Sequence, residues 1–103
     1  MPMSKREQAQ LDRRLVATLT DACETAKAEI VGFAWLTHLV DYTRFPSSLQ
    51  VIWVFESRAA KDHALASGQG ERMIELTALA LQDADVELRP LAPHVQFDVE
   101  KRG

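Results

Sequence analysis

The chain has 103 residues, 47% of them hydrophobic and 26% charged, with a formal net charge of -3, values ordinary for a globular protein near the modal size of one domain. No apolar run approaches the roughly 20 residues of a membrane span, and the opening MPMSKREQAQ lacks the apolar stretch of a secretory signal. A single cysteine, Cys23, builds neither an intrachain disulfide nor a cysteine-rich metal site, so the expectation is one cytoplasmic domain over residues 1–103, with no cofactor, no metal and no membrane contact.

Ser4 followed by Glu7 fits a capping box and predicts a helix start near Lys5. Leu11, Leu15, Leu19, Ala22, Ala26 and Ile30 then recur at spacings of three and four, the stripe of a long amphipathic helix. Basic residues at its front and Asp21, Glu24 and Glu29 at its end oppose the helix dipole. Such a helix depends on tertiary packing. Gly32 breaks the pattern.

Phe33 to Tyr42 predicts a strand, with Phe33, Trp35, Thr37 and Leu39 on one face and Ala34, Leu36, His38 and Val40 on the other. Both faces are largely apolar, as in a central strand or one covered on both sides. Residues 43–48 carry turn chemistry, and a second strand runs from Leu49 to Phe55, after Pro46. Gly32 to Glu56 holds both tryptophans, the one tyrosine and three of the four phenylalanines, which makes this hairpin the heart of the fold. Ser57 is the expected N-cap of a short helix through Leu65. Gly68 and Gly70 interrupt it, and another helix runs from about Glu71 to Gln82. After an irregular stretch with Pro90 and Pro93, His94 to Glu100 alternates as a half-exposed strand, Val95, Phe97 and Val99 facing in. The order α-β-β-α-α-β predicts an α+β fold, a three-stranded sheet packed against a long N-terminal helix and a helix pair. Trp53, Phe55 and Phe97 are the expected sheet-to-helix core.

Candidate functional residues fall in a few places. On an extended strand His38 and Tyr42 share a face about 13 Å apart, with Asp41 on the other, so these three are not a prebuilt catalytic triad. His38, His94 and Asp98 converge only if the last strand lies beside the first. Arg44, Phe45 and Arg58 form an exposed aromatic and cationic patch at the hairpin end, unless Phe45 tucks under the loop beside Pro46. Cys23, beside the apolar stripe with Asp21 and Glu24 as neighbours, has the setting of a packing residue and not of a nucleophile. No P-loop, dinucleotide glycine fingerprint, HExxH or GxSxG occurs. Residues 1–29 carry five basic and five acidic groups and residues 76–103 three and five; only Lys5, Arg6, Arg13 and Arg14 approach the basic face of a nucleic-acid binder.

Gly68-Gln69-Gly70 lies between two helices, and the element order resembles the bacterial type of KH domain and the related ribosome-maturation fold. There a glycine-bearing turn between helices approaches RNA backbone, which implies RNA as a partner. The spacing in this chain is G-x-G instead of G-x-x-G, followed by acidic Glu71. A second resemblance covers most of the chain. Trp35-Leu36-Thr37-His38-Leu39-Val40-Asp41-Tyr42, with Arg44-Phe45-Pro46 and His94-Val95-Gln96-Phe97-Asp98, is similar to short uncharacterised proteobacterial proteins sometimes labelled Fis-like regulators. That label implies a helix-turn-helix dimer, and this chain's β-rich runs depart from it, so no DNA-contact residue carries over. The leading expectation is a non-enzymatic interaction or regulatory module binding a protein partner or itself. A KH-like RNA binder is the alternative, and a small enzyme using His38, Asp41 and Tyr42 the third reading.

Overall fold

The computed structural model describes residues 4–100. The Ser4 capping box forms as its residue types require: Ser4 Oγ accepts from the Glu7 N–H at 3.1 Å and Glu7 Oε1 from the Ser4 N–H at 3.2 Å. From there helix α1 runs over Lys5–Glu29 and buries Leu15, Leu19, Ala22 and Ala26. Strand β1 (Phe33–Leu39) follows, then a 3-10 turn at Tyr42–Arg44 and strand β2 (Gln50–Phe55). Helix α2 (Arg58–Ala66) starts on Ser57, whose hydroxyl accepts from the Ala60 N–H at 3.1 Å. Helix α3 (Gln69–Asp83) and strand β3 (Val95–Val99) complete the order α-β-β-α-α-β, an α+β fold.

The sheet order is β1-β2-β3, with β1 and β2 antiparallel and β2 and β3 parallel. The central strand is therefore β2 and not β1. Val51, Trp53 and Phe55 point from it into one core with the buried faces of α1, α2 and α3. Phe97 reaches that core only partly buried. The Trp53 indole N–H donates to Thr77 Oγ1 at 3.1 Å, and that hydroxyl donates to the Met73 carbonyl at 2.8 Å. Both polar atoms are thereby satisfied in an apolar setting.

The expected faces of β1 need correction. A bulge between Phe33 and Trp35 shifts the register against β2, and an extra residue in a strand moves everything beyond it to the opposite face. Phe33 therefore turns inward, its ring 5.2 Å from that of Trp53, while Trp35, Thr37 and Leu39 turn outward. The strand also ends at Leu39, short of Tyr42. The glycines act differently from expectation as well. Of the two glycines only Gly68, at φ +81°, lies in the α2–α3 turn, beside Ser67, whereas Gly70 lies inside the first turn of α3, where a Cβ would come within 3.1 Å of Leu65 Cδ2.

Candidate functional site

Among the described residues the helices pack against one face of the sheet and none covers the other. By register the open face carries Trp35, Thr37 and Leu39 of β1, Gln50, Ile52 and Val54 of β2, and Gln96 and Asp98 of β3. Trp35 is 46% exposed and Leu39 63%. At the rim Gln96 Nε2 donates to Gln50 Oε1 at 2.8 Å. An apolar centre with a polar border is the composition of a docking surface. Sequence reasoning names none of these as site residues, because Trp35 and Leu39 read equally well as buried.

His38 and Tyr42 do meet, though not as an extended strand predicts. The turn at Tyr42–Arg44 folds the chain back, and both side chains reach Asp12 on α1. Tyr42 donates to Asp12 Oδ1 at 2.9 Å, and His38 Nε2 lies 3.5 Å from the same oxygen. Burial and the neighbouring carboxylate hold the Tyr42 hydroxyl well above the ordinary tyrosine range, so it stays a donor. Asp12 has no local signal in the sequence, since its partner is 30 residues away. Asp41 stands apart from this trio. Its carboxylate accepts from the Thr43 backbone N–H at 2.9 Å and from the Thr43 hydroxyl at 2.6 Å, which lowers its pKa. It is a turn cap. The arrangement braces α1 against β1 and the following turn; it does not assemble His38, Asp41 and Tyr42 around a substrate position.

Arg44, Phe45 and Arg58 are not one patch. Arg58 begins α2 beyond one end of the six-residue strand β2, and the other two precede its opposite end. Phe45 tucks in, half-buried, with its ring 5.7 Å from that of Tyr42, and Arg44 reaches toward Asp41 at 3.8 Å. Neither do His38, His94 and Asp98 converge, because β3 lies beside β2; His94 Nδ1 instead sits 2.9 Å from the Leu49 carbonyl. Cys23 packs partly buried against the core. Among the described residues no group of three or more His, Cys, Asp or Glu side chains is placed to hold a metal ion, and no helix is long and apolar enough to cross a membrane.

Around the glycine turn the chemistry is structural. Gln69 Nε2 donates to the Glu29 carbonyl at 3.4 Å, and Arg72 grips the Glu29 carboxylate with Nε and Nη2, both at 2.9 Å, while also bonding Glu75. Arg72 thus neutralises a carboxylate sitting at the unfavourable end of α1. Its hydrogen bonds hold Glu29 below its ordinary 4.5. A depressed carboxylate contributes stability that is complete above its unfolded pKa and lost as pH falls through its folded one. Glu29→Gln is therefore expected to flatten the loss of urea midpoint on acidification below about pH 4.5. An acid limb unchanged from wild type contradicts this.

A cleft of about 660 Å³ lies between the end of α3 and residues 85–91, over Leu81, Val86, Leu88 and Leu91. None of the candidate residues above lines it. Compared with protein-family models, with curated proteins and with solved structures, the chain matches none.

Proposed function

We propose that this chain is a cytoplasmic, non-enzymatic interaction module, regulatory in role, that binds protein through the open face of its sheet. The observation that carries this is the exposure of Trp35 and Leu39 on a face that, among the described residues, no helix covers. Exposed apolar side chains gathered on one face and rimmed by polar residues mark an interaction site more often than an idle surface. The catalytic alternative has less support: Tyr42 is held as a donor, Asp41 is a cap, and the 660 Å³ cleft holds none of the three candidate residues. Cross-linking in a bacterial lysate, quantified by mass spectrometry, tests the reading. Proteins captured by the wild type are expected to be lost with Trp35→Lys and kept with Leu79→Lys, an exposed position on α3. Equal capture by Trp35→Lys sinks it.

A second reading has one observation in its favour. The order α-β-β-α-α-β, with a left-handed Gly68 between α2 and α3, resembles the bacterial type of KH domain. Its chemistry is poor, since Arg72 is held by two carboxylates and Glu71 adds a third negative charge near the turn. Titrating RNA and DNA oligonucleotides at two salt concentrations separates the readings: steeply salt-sensitive binding favours nucleic acid, and none at low salt favours the protein-binding module.

A further inference from the structure

We propose that the partner is a second copy of this chain, joined by antiparallel pairing of β1 with β1 of that copy, so that two sheets become one of six strands. The proposal rests on the reading of this sheet as protein-binding and places one partner, a second copy, at the β1 edge that borders the open face.

β1 is an end strand; on its outer side, among the described residues, no strand pairs with it. Natural edge strands are guarded by charges, prolines, bulges or a covering element. The opposite edge, β3, has such a guard in Asp98, with Glu100 just beyond. Phe33–Leu39 contains no Asp, Glu, Lys, Arg or Pro, and its bulge at Phe33/Trp35 leaves 35–39 regular. A neutral edge neither repels its own copy nor attracts a charged peptide.

The strand is also complementary to itself. Pairing centred on Thr37 sets Trp35 opposite Leu39 of the second copy and Leu39 opposite its Trp35, each contact occurring twice as a two-fold interface requires. Aromatic–aliphatic cross-strand pairs on one face stabilise an antiparallel ladder. Pairing centred on His38 would instead face two imidazoles, and pairing centred on Leu36 would set Trp35 against Thr37. The helix below continues the surface. Asp12 reaches His38 and Tyr42, so that side of α1 lies along β1; Val16, one turn on along the same side, is 47% exposed. Val31, two residues ahead of β1, is exposed too, so exposed apolar side chains stand on the strand, at its entry and on the helix beside it. Stable specific interfaces bury roughly 1,200–2,000 Å² in total. A five-residue edge falls short of that alone, and the apolar flanks above and below it enlarge the contact, which sets the expected affinity in about the micromolar range.

Sedimentation velocity of the full chain over a concentration series is expected to show reversible monomer–dimer exchange. Thr37→Lys puts like charges opposite each other at the two-fold axis and is expected to weaken the dimer about tenfold or more. Because Thr37 is exposed, the fold itself should be unaffected by circular dichroism. With Cys23→Ala removing the native thiol, Thr37→Cys is expected to cross-link to itself under a mild oxidant. Facing Cα atoms in an antiparallel pair lie about 4.5–5.5 Å apart, within disulfide range. Gln96→Cys on β3 is expected not to cross-link. A chain that stays monomeric, or a dimer indifferent to Thr37→Lys and without the Thr37 cross-link, overturns the proposal. If that chain still captures protein in a Trp35-dependent way, self-pairing alone fails; if capture ignores Trp35, the broader reading falls with it.

Discussion

Replacing Trp53 with alanine is expected to cost the fold about 3–5 kcal/mol, a large share of the roughly 5–15 kcal/mol that holds a domain together. The size follows from position. Trp53 is fully buried on the central strand, between Leu36 of β1 and Phe97 of β3, with Phe33 tilted against it. Truncation opens a large void in this core, and loss of the indole also strips Thr77 of its donor. Thr77→Val isolates that polar part: it keeps the volume, leaves the indole N–H unpaired, and is expected to cost about 1–3 kcal/mol. Urea midpoints read by far-ultraviolet circular dichroism measure both. The ranking Trp53→Ala, then Thr77→Val, then wild type is the expected result. A Trp53→Ala cost below about 1 kcal/mol contradicts the assignment of Trp53 as the keystone of the core.

Elements fixed by neighbours in the sequence were legible. Ser4 and Glu7 are three residues apart, so the start of α1 follows from local chemistry, and the Leu15–Leu19–Ala22–Ala26 stripe names the buried face without knowing what covers it. Ser57 likewise announces α2. The status of β1 was not legible. Phe33 to Leu39 is apolar on alternate and intervening positions alike, the pattern of a strand covered twice. What makes it an edge is that β3 joins β2 in parallel on the far side, a pairing between segments some 45 residues apart. The bulge at Phe33/Trp35 then reverses the phase of the strand, which no composition signal announces.

The candidate site shows the same division. Phe45 lies in the loop that the turn residues predict, beside Tyr42, whereas Asp41, expected on the strand, caps the turn through Thr43, two residues on. His38 and Tyr42 were singled out together, but on an extended strand; the turn at Tyr42–Arg44 and the carboxylate of Asp12 bring them to one place. Asp12 is one of five acidic groups among residues 1–29, and nothing near it in sequence marks it out. Gly70 carried the resemblance to a phosphate-binding turn, yet its lack of a side chain serves the approach of Leu65. A glycine selected for packing and one selected for a ligand look alike in sequence, because both are defined by what comes near.

Gly32→Ala is the second large effect expected, and a second glycine controls it. Gly32 sits at φ +82°, and its carbonyl accepts from the Glu56 N–H at 2.8 Å, pinning the α1–β1 turn to the end of β2. A side chain there pays twice. The left-handed backbone costs an L-residue about 1–2 kcal/mol. The new Cβ would also lie 2.4 Å from Ala60 Cβ, where carbon atoms in contact sit about 3.5–4.0 Å apart, and overpacking of that kind adds about 1–3 kcal/mol. Ala60 is on α2, whose Ala64 is buried in the core, so α2 cannot withdraw without opening a gap there. Gly68 has nearly the same φ, +81°, with nothing within 4 Å of its would-be Cβ. Gly68→Ala is therefore expected to lose only the backbone part, about 1–2 kcal/mol. Adding Ala60→Gly to Gly32→Ala is expected to recover part of the steric loss, net of about 1 kcal/mol for glycine in a helix. Equal melting-temperature drops for the two glycine variants, or no coupling between positions 32 and 60, refute the close approach of α2. That approach matters beyond stability, because the Gly32 turn sets where β1 begins and hence how Trp35 and Leu39 are presented on the open face.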